Sequence, residues 1–178
     1  MKALIKPAFL LFALSFLFMQ CTKEPVTIPG QCTIEYQNHT FNFVLAAWNV
    51  LGNYTDGITR QKIVLLAPSL KPANGGLQGS GHLIEITLLT QSDTFPSGTF
   101  PFSTNENAGV LFNAFLALDY QASVQLAQSV FVVNQGDVKV ERHAAGIQLE
   151  LRLVTTEQDS LKGTYVGSIT TQNIPKIN

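Results

Sequence analysis

From Cys32 onward, apolar and polar residues alternate in short runs broken by Gly, Pro, Asn and Asp, the pattern of strands with one buried and one wet face. The clearest run is "IQLELRLV", where Ile147, Leu149, Leu151 and Leu153 alternate with Gln148, Glu150 and Arg152. With "DVKVERHAAG" before it, this predicts a hairpin whose apolar set faces a core. Asn38-His39 predicts a turn between "CTIEYQ" and "TFNFVLAAW", with Phe41, Phe43 and Leu45 sharing a face. "RQKIVLLA" and "HLIEITLLT" predict two further strands joined by "KPANGGLQGSG", read as a flexible connection. After the polar turn "TEQDS", "LKGTYVGSIT" places Leu161, Tyr165 and Ile169 on one face.

Gly109–Leu118 is ambiguous. Leu111, Phe115 and Leu118 stand at helical spacing, yet a short continuous apolar run also fits a strand buried on both faces. We read it as a strand followed by a loop. About eight to nine short strands then predict an all-β domain, an antiparallel β-sandwich or a calycin-like barrel. No repeat or internal linker divides residues 31–178.

The N-terminus follows another pattern. Lys2 and Lys6 precede an unbroken apolar stretch from Ala8 to Met19, too short to cross a bilayer and matching the apolar core of a secretory signal peptide. No A-x-A-like site follows it; Cys21 stands at the switch from apolar to polar instead. This resembles a bacterial lipoprotein signal, although Phe18 and Gln20 replace the Leu and the small residue usual there. The resemblance implies a signal peptide over residues 1–20, cleavage before Cys21, and lipid attachment at Cys21. Residues 21–30, with Pro25 and Pro29, predict a tether of roughly 30 Å at most. "CTKEP" resembles the surface-export tag of lipoproteins from the Bacteroides group, which implies the outer membrane, on its cell-surface or periplasmic face. If Cys21 is acylated, Cys32 has no disulfide partner and reads as a buried free thiol.

Composition narrows the functions. Only 13% of residues are charged against 46% apolar, and the formal net charge is −1, so neither a disordered chain nor a nucleic-acid binder is predicted. His39, His82 and His143 are scattered, and no zinc spacing, nucleophile elbow or phosphate loop occurs; no cofactor or metal is predicted. Glu35, Glu85, Glu141 and Glu150 fall opposite the apolar sets and read as a wet sheet face. Phe95, Phe100 and Phe102, in a polar stretch rich in Pro, Ser and Thr, are either ligand contacts or rings that cap the end of the fold.

"FPSGTFPFSTNENAG" with "GDVKVERHAAGIQLELRLVTTEQDSLKGTYVGSI" resembles the C-terminal half of small exported lipoproteins of the Bacteroides group with an uncharacterised all-β domain. The match rests on Gly98, Gly136, Val138, Val140, Gly163, Tyr165 and Gly167, and implies structure without catalytic residues. Asp159-Ser160-Leu161 resembles the O-glycosylation acceptor of the same bacteria, with Ser160 as the modified residue. The function expected is a membrane-anchored, non-enzymatic binding module for a glycan, peptide or protein. The alternatives are a calycin-like carrier of a small apolar ligand and, less favoured, a hydrolase.

Overall fold

The computed structural model describes residues 30–73, 76–143 and 146–171. The signal peptide, Cys21 and nearly all of the tether lie outside them. Among the described residues there are twelve strands and no helix. In chain order these are β1 (Gln31–Tyr36), β2 (His39–Phe41), β3 (Leu45–Thr55), β4 (Ile58–Leu66), β5 (Leu70–Ala73) and β6 (Gly76–Thr90). The second half holds β7 (Gly98–Pro101), β8 (Val110–Gln121), β9 (Ser129–His143), β10 (Gly146–Thr155), β11 (Ser160–Gly167) and β12 (Ile169–Thr171). They form one strongly curled sheet in the order β12-β3-β4-β6-β8-β9-β10-β11-β1-β2, with β5 beside β6 and β7 beside β9. Among the strand pairs of the described residues β12 on β3 alone is parallel, with one further parallel bridge between Phe102 and Leu111. Because β11 runs through Ser168 directly into β12, one stretch of chain links the third strand from one end of the sheet order to the strand at the other end. The all-β expectation, a sandwich or calycin-like barrel, holds as a curled half-barrel.

Curling puts one face of every main strand inside. Ile34, Ile63, Leu65, Ile84, Ile86, Leu116, Val138, Val140, Leu149, Leu151 and Leu161 meet there in one cluster, each fully buried. The predicted phase of β10 is observed: Ile147, Leu149, Leu151 and Leu153 point inward, while Gln148 and Glu150 are half-exposed and Arg152 is exposed. Leu151→Ala should cost about 3 kcal/mol, the middle of the range for a fully buried leucine. Glu150→Ala should change stability by about 0.5 kcal/mol or less. Urea melts of both variants measure the contrast, and equal small effects would overturn the assigned face.

Two expectations are corrected. The first hairpin turns at Gln37-Asn38, whose φ values of 48° and 63° make the mirror-image turn that matches strand twist. His39 is already in β2, opposite Tyr36. The glycine-rich stretch is not a loose connection but a hairpin, with Leu70 opposite Gly79 and Ala73 opposite Gly76. It folds Leu70 and Leu77 over Val64, Leu66, Leu83 and Tyr120, a second apolar cluster on the outer face. The strand expected at Gly109–Leu118 is observed as β8, which begins at Val110 and runs on to Gln121 before the loop.

Two of the residues that carried the family resemblance, Tyr165 and Gly167, pack at the β1–β11 seam. Tyr165 is fully buried and donates its hydroxyl to the Ser168 carbonyl at 2.9 Å. Gly30 and Gly167 lie against its ring so closely that a Cβ on Gly30 would overlap it. Cys32, opposite Tyr165 in the register, is a half-buried free thiol. Burial raises the Cys32 thiol from 9.0 to about 11. Burial likewise raises the Tyr165 phenol from 10.0 to about 12. Both groups are neutral when protonated, and the unfolded chain releases these protons first. Stability should therefore be level below pH 9 and fall as pH rises from 9.0 towards about 12. Thermal melts across that window test this, and Cys32→Ala with Tyr165→Phe should flatten the alkaline limb.

Candidate functional site

On the outer face of β3, β4, β6 and β8 the same alternation that fills the interior presents Lys62, Glu85, Thr87 and Asn113. Lys62 is opposite Thr87 and Val64 opposite Glu85, so Lys62 and Glu85 are diagonal neighbours. Their ammonium and carboxylate meet at 2.9 Å with side chains only 2% and 8% exposed. Burying a charged pair costs more than burying two apolar side chains unless something else uses the charges. Burial, followed by the Glu85 charge, holds the nearby Tyr120 phenol above its usual range.

Three irregularities in the sheet build walls around this pair. Register slips leave Leu51 unpaired between Val50 and Gly52, and Tyr54 unpaired between Asn53 and Thr55. A third leaves Phe112 unpaired between Leu111 and Asn113. A bulge residue re-aims its side chain, and these three converge on one place. Leu111 and Ala114 stay in the core, so Phe112 and Asn113 both reach the outer face. The rings of Tyr54 and Phe112 lie 5.3 Å apart, and the Arg60 guanidinium carbon sits 5.9 Å from the Tyr54 ring centre. The Tyr54 hydroxyl bonds the Glu106 carboxylate, which holds the phenol above the usual tyrosine range. The result is an open groove of about 350 Å³ lined by Leu51, Arg60, Lys62, Glu85, Thr87, Phe112 and Asn113.

A wider depression of about 690 Å³ lies where β2 meets the outer strands, with His39, His82, Ser69 and Asp119 on its wall. His82 Nδ1 accepts the Asp119 backbone N–H at 3.2 Å, and the Phe41 ring stands edge-on to it at 5.2 Å. The fold thus gathers two of the three scattered histidines, while His143 remains exposed at the end of β9. Among the described residues no three His, Cys, Asp or Glu side chains converge as metal ligands.

The phenylalanines singled out in the sequence go elsewhere. Phe95 and Phe100 are 8% and 6% exposed and belong to the interior cluster, with Phe102 half-buried against it. Phe95 packs edge-on to Trp48 at 5.4 Å, and Arg142 covers its ring at 5.0 Å. Gln61, fully buried, accepts from the Trp48 indole at 2.8 Å and reaches the Ser92 and Thr94 carbonyls at 2.5 and 2.9 Å, which fixes the loop that carries Phe95. Of the two readings left open for them, burial favours the cap at the end of the fold for Phe95 and Phe100, which also border an open depression of about 510 Å³. Ser160 is exposed at the start of β11, as a modified residue must be.

Glu35, Glu141 and Glu150 lie on the wet face as expected, near Lys162, Lys139 and Arg152 at 3.7, 2.8 and 4.0 Å. Glu85 does not, because its part of the outer face is walled and covered. Sequence reading passed over Lys62, Arg60, Leu51, Tyr54, Phe112 and Asn113. One signal was present: a lysine at an alternate position of the otherwise apolar "KIVLL". No family model matches the chain, and no curated protein or solved structure is significantly similar to it.

Proposed function

We propose that the chain is a lipid-anchored, non-enzymatic binding module that takes its ligand in the outer-face groove of β3, β4, β6 and β8. The observation that carries this reading is the nearly dry Lys62–Glu85 pair at the floor of an open groove whose apolar lining, Leu51 and Phe112, consists of bulge residues, with the bulge residue Tyr54 packed on Phe112. Such a pair is a poor way to stabilise a sheet and a good way to orient a polar ligand. In the anchoring part of the proposal, the signal peptide is removed before Cys21 and acyl chains there hold the domain to the outer membrane. The tether then leaves the domain free to meet a glycan, peptide or protein. Cys21→Ser should leave the precursor uncleaved or release it from membranes. Fractionation and mass measurement decide this, and membrane-bound mutant of wild-type size would remove the anchor.

The curl of the sheet is what favours the second reading, a calycin-like carrier. Its interior, however, is occupied by the side chains of the core cluster. NMR mapping with a panel of monosaccharides and short peptides separates the two. Shifts at Arg60, Phe112 and Asn113 support the groove; shifts at Ile86, Leu149 and Leu151 would move the ligand inside.

A further inference from the structure

Resting on the groove as the ligand site, we infer that its ligand carries a carboxylate set beside an apolar ring face. The ground is an imbalance between donors and acceptors in the lining. The Lys62 ammonium can donate three hydrogen bonds, and within the described protein it gives one, to Glu85. The Arg60 Nε–H is buried and has no acceptor. Its guanidinium has no carboxylate in ion-pair range among the described residues; the nearby Glu106 is engaged by the Tyr54 hydroxyl. Within the lining Arg60 and Lys62 face a single carboxylate, Glu85, an excess of one positive charge, while Glu106 keeps its charge outside the lining at the Tyr54 hydroxyl.

An ionised carboxylate answers both deficits, because it brings a negative charge and accepts without donating. A cationic ligand would add to the excess charge. A neutral polyol would bring as many donors as acceptors and leave the charge uncompensated. Geometry supplies the other half of the ligand. Leu51 and Phe112, the latter backed by the Tyr54 ring, offer apolar and aromatic surface beside the cations, the surface on which a sugar ring or an aryl ring packs. A volume of about 350 Å³ suits a single ring with its substituents. A hexuronic acid unit and an aryl carboxylate share this chemistry.

The test is amide NMR titration of the full chain held in detergent, with glucuronate, phenylacetate and glucose as probes. At least one carboxylate should shift Arg60, Phe112 and Asn113, with glucose about ten-fold weaker or more, as expected where a charged hydrogen bond is lost. Glucuronate alone identifies a sugar acid; phenylacetate alone identifies an aryl acid. Arg60→Gln should weaken the carboxylate about ten-fold without lowering the melting temperature, and Arg60→Lys should recover part of the loss. If glucose shifts the same amides at the same midpoint, the groove binds ligand but the carboxylate inference fails. If no probe moves them up to about 10 mM, the groove reading fails with it. Unchanged affinity in a folded Arg60→Gln protein would also overturn the inference.

Discussion

Gly136→Val should cost about 4 kcal/mol or more, among the largest effects of any single substitution in the fold. Gly136 is the point where β9 changes partners. Along one edge β9 pairs with β8 through Ser129–Leu118 and Phe131–Leu116, then with β7 through Asp137–Pro101 and Val140–Gly98. Between these stretches the Gly136 carbonyl accepts the Phe102 N–H at 2.8 Å. The backbone turns there with φ at 107°, a region that costs a branched residue about 1–3 kcal/mol in itself. A Cβ would also overlap the Arg152 carbonyl oxygen and lie 2.8 Å from Leu153 Cα across the sheet. Those atoms are backbone within the β9–β10 ladder, so they cannot swing aside as a side chain could. Gln135→Val, one residue earlier and exposed, is the control and should change stability by about 0.5 kcal/mol or less. Urea denaturation of both proteins gives the answer. Similar midpoints would mean that β9 takes the corner without needing a glycine.

The parts of the fold legible in the sequence are those with one wet face. β10 announces its phase because Gln148, Glu150 and Arg152 meet solvent between buried neighbours. β4 and β6 do not, because Val64, Leu66 and Leu83 are buried on the outside as completely as Ile63, Leu65 and Ile84 are inside. Alternation vanishes there, and β8 suffers likewise: Leu116 is in the interior while Ala117 and Tyr120 belong to the outer cluster. What covers that outer face is the β5–β6 hairpin, whose glycines hide a strand pair inside a stretch that reads as linker. The turn from β3 into β4 is the opposite case, since Asp56-Gly57 joins Thr55 to Ile58 with the strongest two-residue hairpin signal there is.

The groove was illegible for another reason. Leu51 and Phe112 face it, and Tyr54 packs on Phe112, because each is the extra residue in a bulge, and a bulge is a property of two strands in register. By simple alternation Phe112 and Asn113 would take opposite faces. Glu85 reads as one more solvent-facing carboxylate until Lys62, 23 residues away, is placed beside it.

That pair gives the second large expected effect. Lys62→Met should cost about 3–5 kcal/mol, because it takes from the nearly buried Glu85 carboxylate the ammonium that offsets its desolvation. The double variant Lys62→Met with Glu85→Leu should recover most of the loss, ending within about 1 kcal/mol of the natural protein or above it. The reason is that desolvating two charges roughly offsets their attraction, whereas removing the ammonium leaves the carboxylate's desolvation without the attraction of Lys62. Adjacent Val64, Leu66 and Leu83 already make the outer face apolar, so methionine and leucine would extend that cluster. Denaturant melts of the two singles and the double complete a cycle that isolates the coupling. A single Lys62→Met cost under about 1 kcal/mol would show that water reaches the ammonium. A double variant as unstable as the singles would show that the pair holds β4 to β6. A stable double variant that no longer prefers glucuronate or phenylacetate to glucose would show that the two charges are kept for the ligand, since the sheet stands without them.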